Sequence, residues 1–153
     1  MLMKLYLVRH GDAVSESIDP QRPLSEEGVD EVQRVAWHLK MKNIQLNSVF
    51  HSPKRRAQQT AEIMRDTLSP SCALVVKKNL LPEDPVDAIE QELNACPLDL
   101  MIVGHMPFLG HLVSVLLKGA HRDIVFKTGT VTLLERGQDK KWKWVWSVHQ
   151  GDV

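Results

Sequence analysis

The stretch Leu5-Tyr6-Leu7-Val8-Arg9-His10-Gly11-Asp12 is an apolar run that stops abruptly on a cation, an imidazole and a glycine. Leu5 to Val8 have no polar face, which is the pattern of a central parallel strand covered on both sides. Gly11 then permits the sharp turn that has to follow. The strand end places His10 where open α/β sheets bind ligands, outside the carboxyl ends of their strands. A buried strand that merely happens to end in Arg-His has the same pattern, so the remainder of the chain has to decide between the two.

With 153 residues and 43% hydrophobic content, the chain can bury one sizeable core but hardly two, and a single domain over residues 1–153 is expected. Nineteen Lys+Arg balance nineteen Asp+Glu for a formal net charge of zero, so no overall field recruits nucleic acid or an anionic membrane. No apolar stretch approaches the roughly 20 residues of a membrane span or forms a secretory leader, and a cytoplasmic location is expected. Cys72 and Cys96 lie in no paired spacing and are read as reduced thiols. A monomer without a cofactor or metal is expected.

Beyond the opening strand the chain alternates short units. A polar loop, Ala13 to Leu24, precedes a helix announced by Ser25 as N-cap, with Glu26 and Glu27 in its positive first turn and Val29, Val32, Ala36 and Leu39 on its apolar face. A strand near Asn47 to His51 leads to Ser52-Pro53, read as an N-cap and a first-turn proline for a helix that runs to about Leu68. A third strand fits Ala73 to Val76, and a third helix is expected from Asp84-Pro85, burying Val86, Ile89 and Leu93. Asp99 to Gly104 is another apolar run ending on a histidine, His105, and a helix with Leu109, Leu112, Val113, Leu116 and Leu117 inward follows it. Val131 to Leu134 and Trp142 to Val148 flank Gly137-Gln138-Asp139-Lys140 as an antiparallel hairpin. Four βα units and such an edge predict an α/β three-layer sandwich: a mostly parallel central sheet, an antiparallel C-terminal edge, and helices on both faces.

Lys54, Arg55 and Arg56 crowd the positive end of the second helix, where each cation costs ~0.3 to 1 kcal/mol. An anion held there would interact favourably with both the cations and the free N–H groups. Three of the four strand-to-helix junctions thus carry cations or imidazoles: Arg9-His10, the Arg55-Arg56 turn, and Gly104-His105. In a parallel sheet all of them share one edge. Two imidazoles with several planar, bidentate guanidinium groups suit a phosphoryl ligand.

These residues resemble a known family. Leu7-Val8-Arg9-His10-Gly11-Asp12 is similar to the signature of the histidine phosphatase superfamily, whose fold is phosphoglycerate-mutase-like. Ser52-Pro53 with Arg56-Ala57 and Thr60 resembles its second motif, Val103-Gly104-His105 its third, and Arg22-Pro23-Leu24-Ser25 with Gly28 the segment that opens its first helix. Within it, the short length looks most like the SixA-type phosphohistidine phosphatases. The resemblance implies that His10 is the nucleophile, that Arg9 and Arg56 clamp the phosphoryl oxygens and that His105 is the second imidazole. Arg22, Gly11, Ser52 and Gly104 are then expected to contact the phosphoryl group. Neighbouring guanidinium charge should lower the His10 pKa and keep it neutral, hence nucleophilic, whereas a bound dianion should hold His105 protonated. The implied partner is a phosphohistidine-bearing protein, either a histidine phosphotransfer domain or a phosphocarrier protein.

Ester-cleaving members of this superfamily use a carboxylic acid from the segment after the third strand, where only Glu83 and Asp84 fall here; Asp84 is read as a helix N-cap and Glu83 as a surface acid. A small-molecule phosphate-ester phosphatase and a non-catalytic phosphate-binding module therefore stay open as alternatives. Short connections after the second strand leave little chain for a lid, which favours a protein substrate. His38, His51, His111, His121 and His149 lack metal spacing and are read as surface or satisfied histidines. Trp142, Trp144 and Trp146 are read as one core-facing side of an edge strand, and no nucleotide-binding glycine pattern occurs.

Overall fold

A computed structural model describes residues 2–119 and 124–153; His121 lies outside the described residues. The elements are β1 (Met3–Arg9), α1 (Glu26–Lys40), β2 (Ser48–His51), α2 (Arg55–Leu68), β3 (Ala73–Val76), α3 (Asp87–Ala95), β4 (Leu100–Gly104), α4 (Phe108–Leu117), β5 (Val131–Arg136) and β6 (Trp142–Val148), with a 3-10 turn at Gln150–Asp152. The sheet order is β3-β2-β4-β1-β5-β6. The first four strands in that order run parallel, while β5 pairs antiparallel with both β1 and β6. The α/β sandwich with an antiparallel edge is the expected one.

The uniformly apolar strands have a physical reason, since successive side chains alternate between two cores. Leu5, Leu7, Leu100 and Ile102 pack with Ile89 and Leu93 of α3 and Leu109, Leu112 and Leu116 of α4. Tyr6, Val8, Met101 and Val103 face the other way, toward Val32, Val35 and Leu39 of α1 and Ala57, Ala61 and Met64 of α2.

Several details differ from expectation. On α1 it is Val35, not Val29, that joins the fully buried stripe. The α2 N-cap is Lys54, without a side-chain cap; Ser52 lies two residues earlier, where its hydroxyl both accepts from the Lys54 amide at 3.2 Å and pairs with His105 Nε2 at 2.7 Å. The third helix begins at Asp87, and the Asp84 carboxylate accepts from the Leu81 amide rather than capping it. A bulge between Leu133 and Leu134 pairs them with Trp146 and Trp144, so Trp142 and Trp144 pack on the α3–α4 side and Trp146 on the α1–α2 side. The connections at residues 77–86 and 118–130 are longer than the short loops predicted. Cys72 and Cys96 are free thiols, and among the described residues no helix is long and apolar enough to cross a membrane.

The loop after β1 is held against α1 by close backbone approach. The Asp12 carbonyl accepts from the Ser25 amide at 3.0 Å, and a Cβ added at Gly28 would lie 2.1 Å from that carbonyl oxygen. Gly28→Ala must therefore push the chain just beyond His10 off the helix. Overpacking of this kind costs ~1 to 3 kcal/mol, and we expect the variant to show a clearly lower Tm by calorimetry; an unchanged Tm would refute the close approach.

Candidate active site

Parallel pairing of β1 with β4 puts Arg9 level with Gly104, and the His10 amide donates to the Gly104 carbonyl at 3.1 Å. His10 and His105 consequently leave the same sheet edge side by side, their ring centroids 5.1 Å apart and tilted by 58°. Both are buried, His10 7% and His105 2% exposed.

The hydrogen bonds set the state of His10. Its Nδ1 lies 2.8 Å from the Gly11 carbonyl oxygen, which can only accept, so Nδ1 carries the proton. The Nε2 lone pair is then free, and it accepts from Arg56 Nε at 3.3 Å. Burial, more than the Arg56, Arg9 and Arg22 charges, pushes the His10 pKa down to about 4. Guanidinium charge is thus the lesser cause of the neutrality expected from sequence.

Other groups orient this pair. Thr60 Oγ1 accepts from the Gly11 amide at 3.0 Å and donates to the Arg56 carbonyl at 2.8 Å, tying the β1 end to the first turn of α2. Arg9 donates from one terminal nitrogen to the Phe126 carbonyl at 2.8 Å, while its buried Nε has no hydrogen-bond partner. His105 Nε2 pairs with Ser52 Oγ at 2.7 Å, and its buried Nδ1 is unpartnered. Burial first, then His10 and nearby cations, lowers the His105 pKa to about 3, so without a bound anion this imidazole is neutral.

His10, Arg9, Arg56 and His105 therefore converge. Arg22, at φ 47°, donates Nε to the Val14 carbonyl and lines a cleft of about 490 Å³ together with Lys54, Arg55 and Arg56. The amide of Gly11 and the hydroxyl of Ser52 are already engaged by Thr60 and His105, and the Gly104 carbonyl holds His10, so these three shape the site through its own groups. Of the histidines set aside, His51 is of the satisfied kind, buried and donating Nδ1 to the Ser52 carbonyl, while His111 is exposed.

Sequence reasoning missed the segment before β5. The Gly129 amide donates to the carbonyls of Arg9 and His10, each at 3.0 Å, and the Phe126 carbonyl takes the Arg9 guanidinium. Backbone groups contributed across 117 positions of chain carry no side-chain signal. Among the described residues no carboxylate hydrogen-bonds or ion-pairs with Arg9, His10, Arg56 or His105, and no cluster of His, Cys, Asp or Glu could hold a metal ion.

Titration follows from this burial. An unfolded chain protonates its histidines near pH 6.5 whereas the folded one refuses both protons until about pH 4 and 3, so stability is full above 6.5 and falls as pH drops through that window. The slope is on the order of 1.4 kcal/mol per pH unit for each group. Urea unfolding between about pH 6.5 and 4 should show that loss, and His105→Asn should reduce its slope; identical slopes would place His105 in solvent.

Comparison with known proteins agrees with the geometry. The chain is 32% identical over 122 residues to phosphohistidine phosphatase SixA of Escherichia coli (strain K12), covering 76% of each protein. It superposes on a structure of the protein histidine phosphatase SixA complexed with tungstate with a TM-score of 0.87 and 28% identity, over 97% of this chain and 98% of the other. A phosphoglycerate mutase from Plasmodium falciparum, 17% identical, shares the fold with a TM-score of 0.74 over 95% and 90% of the two chains. Residues 5–82 match the histidine phosphatase superfamily (branch 1), a span that runs from the first strand past the arginine-bearing helix, and this chain belongs to that superfamily.

Proposed function

We propose that this protein is a protein phosphohistidine phosphatase that works through a covalent phosphohistidine intermediate on His10. The observation that carries this reading is the pairing of a neutral, buried His10, its Nε2 lone pair turned to Arg56, with a second imidazole 5.1 Å away and, among the described residues, no carboxylate bonded to either. Similarity to SixA, a phosphohistidine phosphatase, supports the same choice of substrate.

In the first step His10 Nε2 attacks phosphorus and the bond from phosphorus to the substrate nitrogen breaks. Substrate imidazole protonated on its other nitrogen departs neutral, so no enzyme acid has to deliver a proton. Arg9 and Arg56 hold the phosphoryl oxygens, and Arg22 approaches from the loop. A dianion beside His105 would raise its pKa from about 3, and its orphaned Nδ1 is a ready donor once protonated. Water then attacks phospho-His10, releasing inorganic phosphate and restoring the Nε2 lone pair. The natural substrate is a histidine phosphotransfer domain or a phosphocarrier protein.

Among the described residues, ester hydrolysis lacks the acid it would require. An alkoxide leaves poorly without a positioned acid, typically worth ~10²- to 10⁴-fold, yet Asp84 is engaged with the Leu81 amide and Glu83 is exposed.

His10→Ala should abolish turnover while the protein stays folded, and rapid quench of the wild type should trap acid-labile phosphate on the chain; undiminished turnover in the variant would remove His10 from the nucleophile's place. On a substrate panel, kcat/KM for a phosphohistidine protein should far exceed that for sugar and nucleotide phosphates. Glu83→Gln and Asp84→Asn should keep that activity within about tenfold, or ~1.4 kcal/mol. Efficient ester turnover that collapses in either variant would establish a true acid and a small-molecule phosphatase instead.

A further inference from the structure

The cleft beside His10 carries more charge than phosphoryl transfer uses. Arg56 belongs to the reacting group through His10 Nε2. Lys54 and Arg55 line the same cleft, are exposed, and form no ion pair among the described residues. Arg55 lies about 100° around the helix from Arg56, and it lines the cleft without a hydrogen bond to His10. No acid stands in the first turn of that helix to offset them, although the chain as a whole has zero net charge. Glu16 is the one carboxylate in a wall that also holds Arg22, Lys54, Arg55 and Arg56, so the cleft keeps a local positive excess.

A separate hollow near the strand end has the reverse sign. Lined by Asp12, Glu27 and Glu31 together with Lys127 and His149, it begins two residues beyond His10. Burial and the neighbouring Glu27 raise the Glu31 pKa, as expected of crowded carboxylates. The remaining cleft wall on the basic side comes from Glu16, Pro20, Gln21, Pro53 and Gln58, with no aromatic or large aliphatic side chain to grip a metabolite. Such a shallow polar wall suits a protein surface laid across it.

We propose that Lys54 and Arg55 form a docking surface for the phosphorylated protein, selecting partners with carboxylates beside their phosphohistidine, while Asp12, Glu27 and Glu31 repel those carboxylates and so orient the partner. This rests on the phosphohistidine-protein reading above. Complementary charge at the rim of a site acts chiefly on encounter and orientation, and it is screened by salt.

The test uses three short histidine peptides phosphorylated with phosphoramidate and flanked by Glu, Gln or Lys, together with free phosphoimidazole. At low salt, wild-type kcat/KM should fall in the order Glu, Gln, Lys by about tenfold overall, through KM, and the spread should shrink at about 0.5 M salt. Arg55→Glu should bring the Glu-flanked peptide to or below the level of the Gln-flanked one and leave phosphoimidazole within about twofold. Equal rates on all three peptides would overturn the docking surface, as would an equal loss on phosphoimidazole, which would put Arg55 in the chemistry. Should the wild type hydrolyse none of the four, the phosphatase reading itself falls. Binding of the Glu- and Lys-flanked phosphopeptides to His10→Ala, by fluorescence anisotropy, then still decides the docking surface: tighter binding of the Glu-flanked peptide upholds it and equal binding refutes it.

Discussion

Everything at this site depends on the parallel ladder between β1 and β4. Strands that are not consecutive in sequence become neighbours because the chain crosses over β4 to reach β2 and returns only after β3. Register then sets Arg9 against Gly104, and the next residue of each strand is a histidine. A shift of one residue would turn every side chain of β1 to the opposite face and break two cores at once, since Leu5 and Leu7 belong to one and Tyr6 and Val8 to the other. Packing of the sheet on both faces is thus what holds two imidazoles 5.1 Å apart at its edge.

Burial at that edge does two jobs. It takes His10 and His105 out of water, which lowers both pKa values and keeps the rings neutral, and it leaves polar atoms without partners at Arg9 Nε and His105 Nδ1. Unpaired buried polar atoms are costly in a structure that only has to be stable. Both sit among the residues to which the proposed phosphoryl chemistry is assigned. Thr60 on α2 and Ser52 just after β2 each connect a strand end to the neighbouring element instead of facing solvent.

Charge is divided as unevenly around the site as it is balanced over the chain. Lys54, Arg55 and Arg56 oppose the dipole of their own helix, whereas Glu26 and Glu27 agree with that of α1. A helix start without a side-chain cap and without an acid forgoes local stability. Arg56 turns to His10 Nε2, whereas Lys54 and Arg55 stay exposed along the same cleft.

Periodicity and strand-end chemistry determined much of this protein by themselves. The apolar runs ending in Arg9-His10 and Gly104-His105, the Ser25 cap and the inward stripe of α4 are local signals, and local physics realises them as written. Tertiary structure decided whatever hinged on competition for a single group. Ser52 shares its hydroxyl between the His105 imidazole and the Lys54 amide, Asp84 turned to a loop amide, and a bulge sent Trp146 to the opposite core from Trp144. The carbonyl of Phe126 and the amide of Gly129 reach Arg9 and His10 only because β5 folds back antiparallel on β1. Every residue carries such backbone groups, so no sequence pattern distinguishes the two that matter; long-range pairing alone selects them.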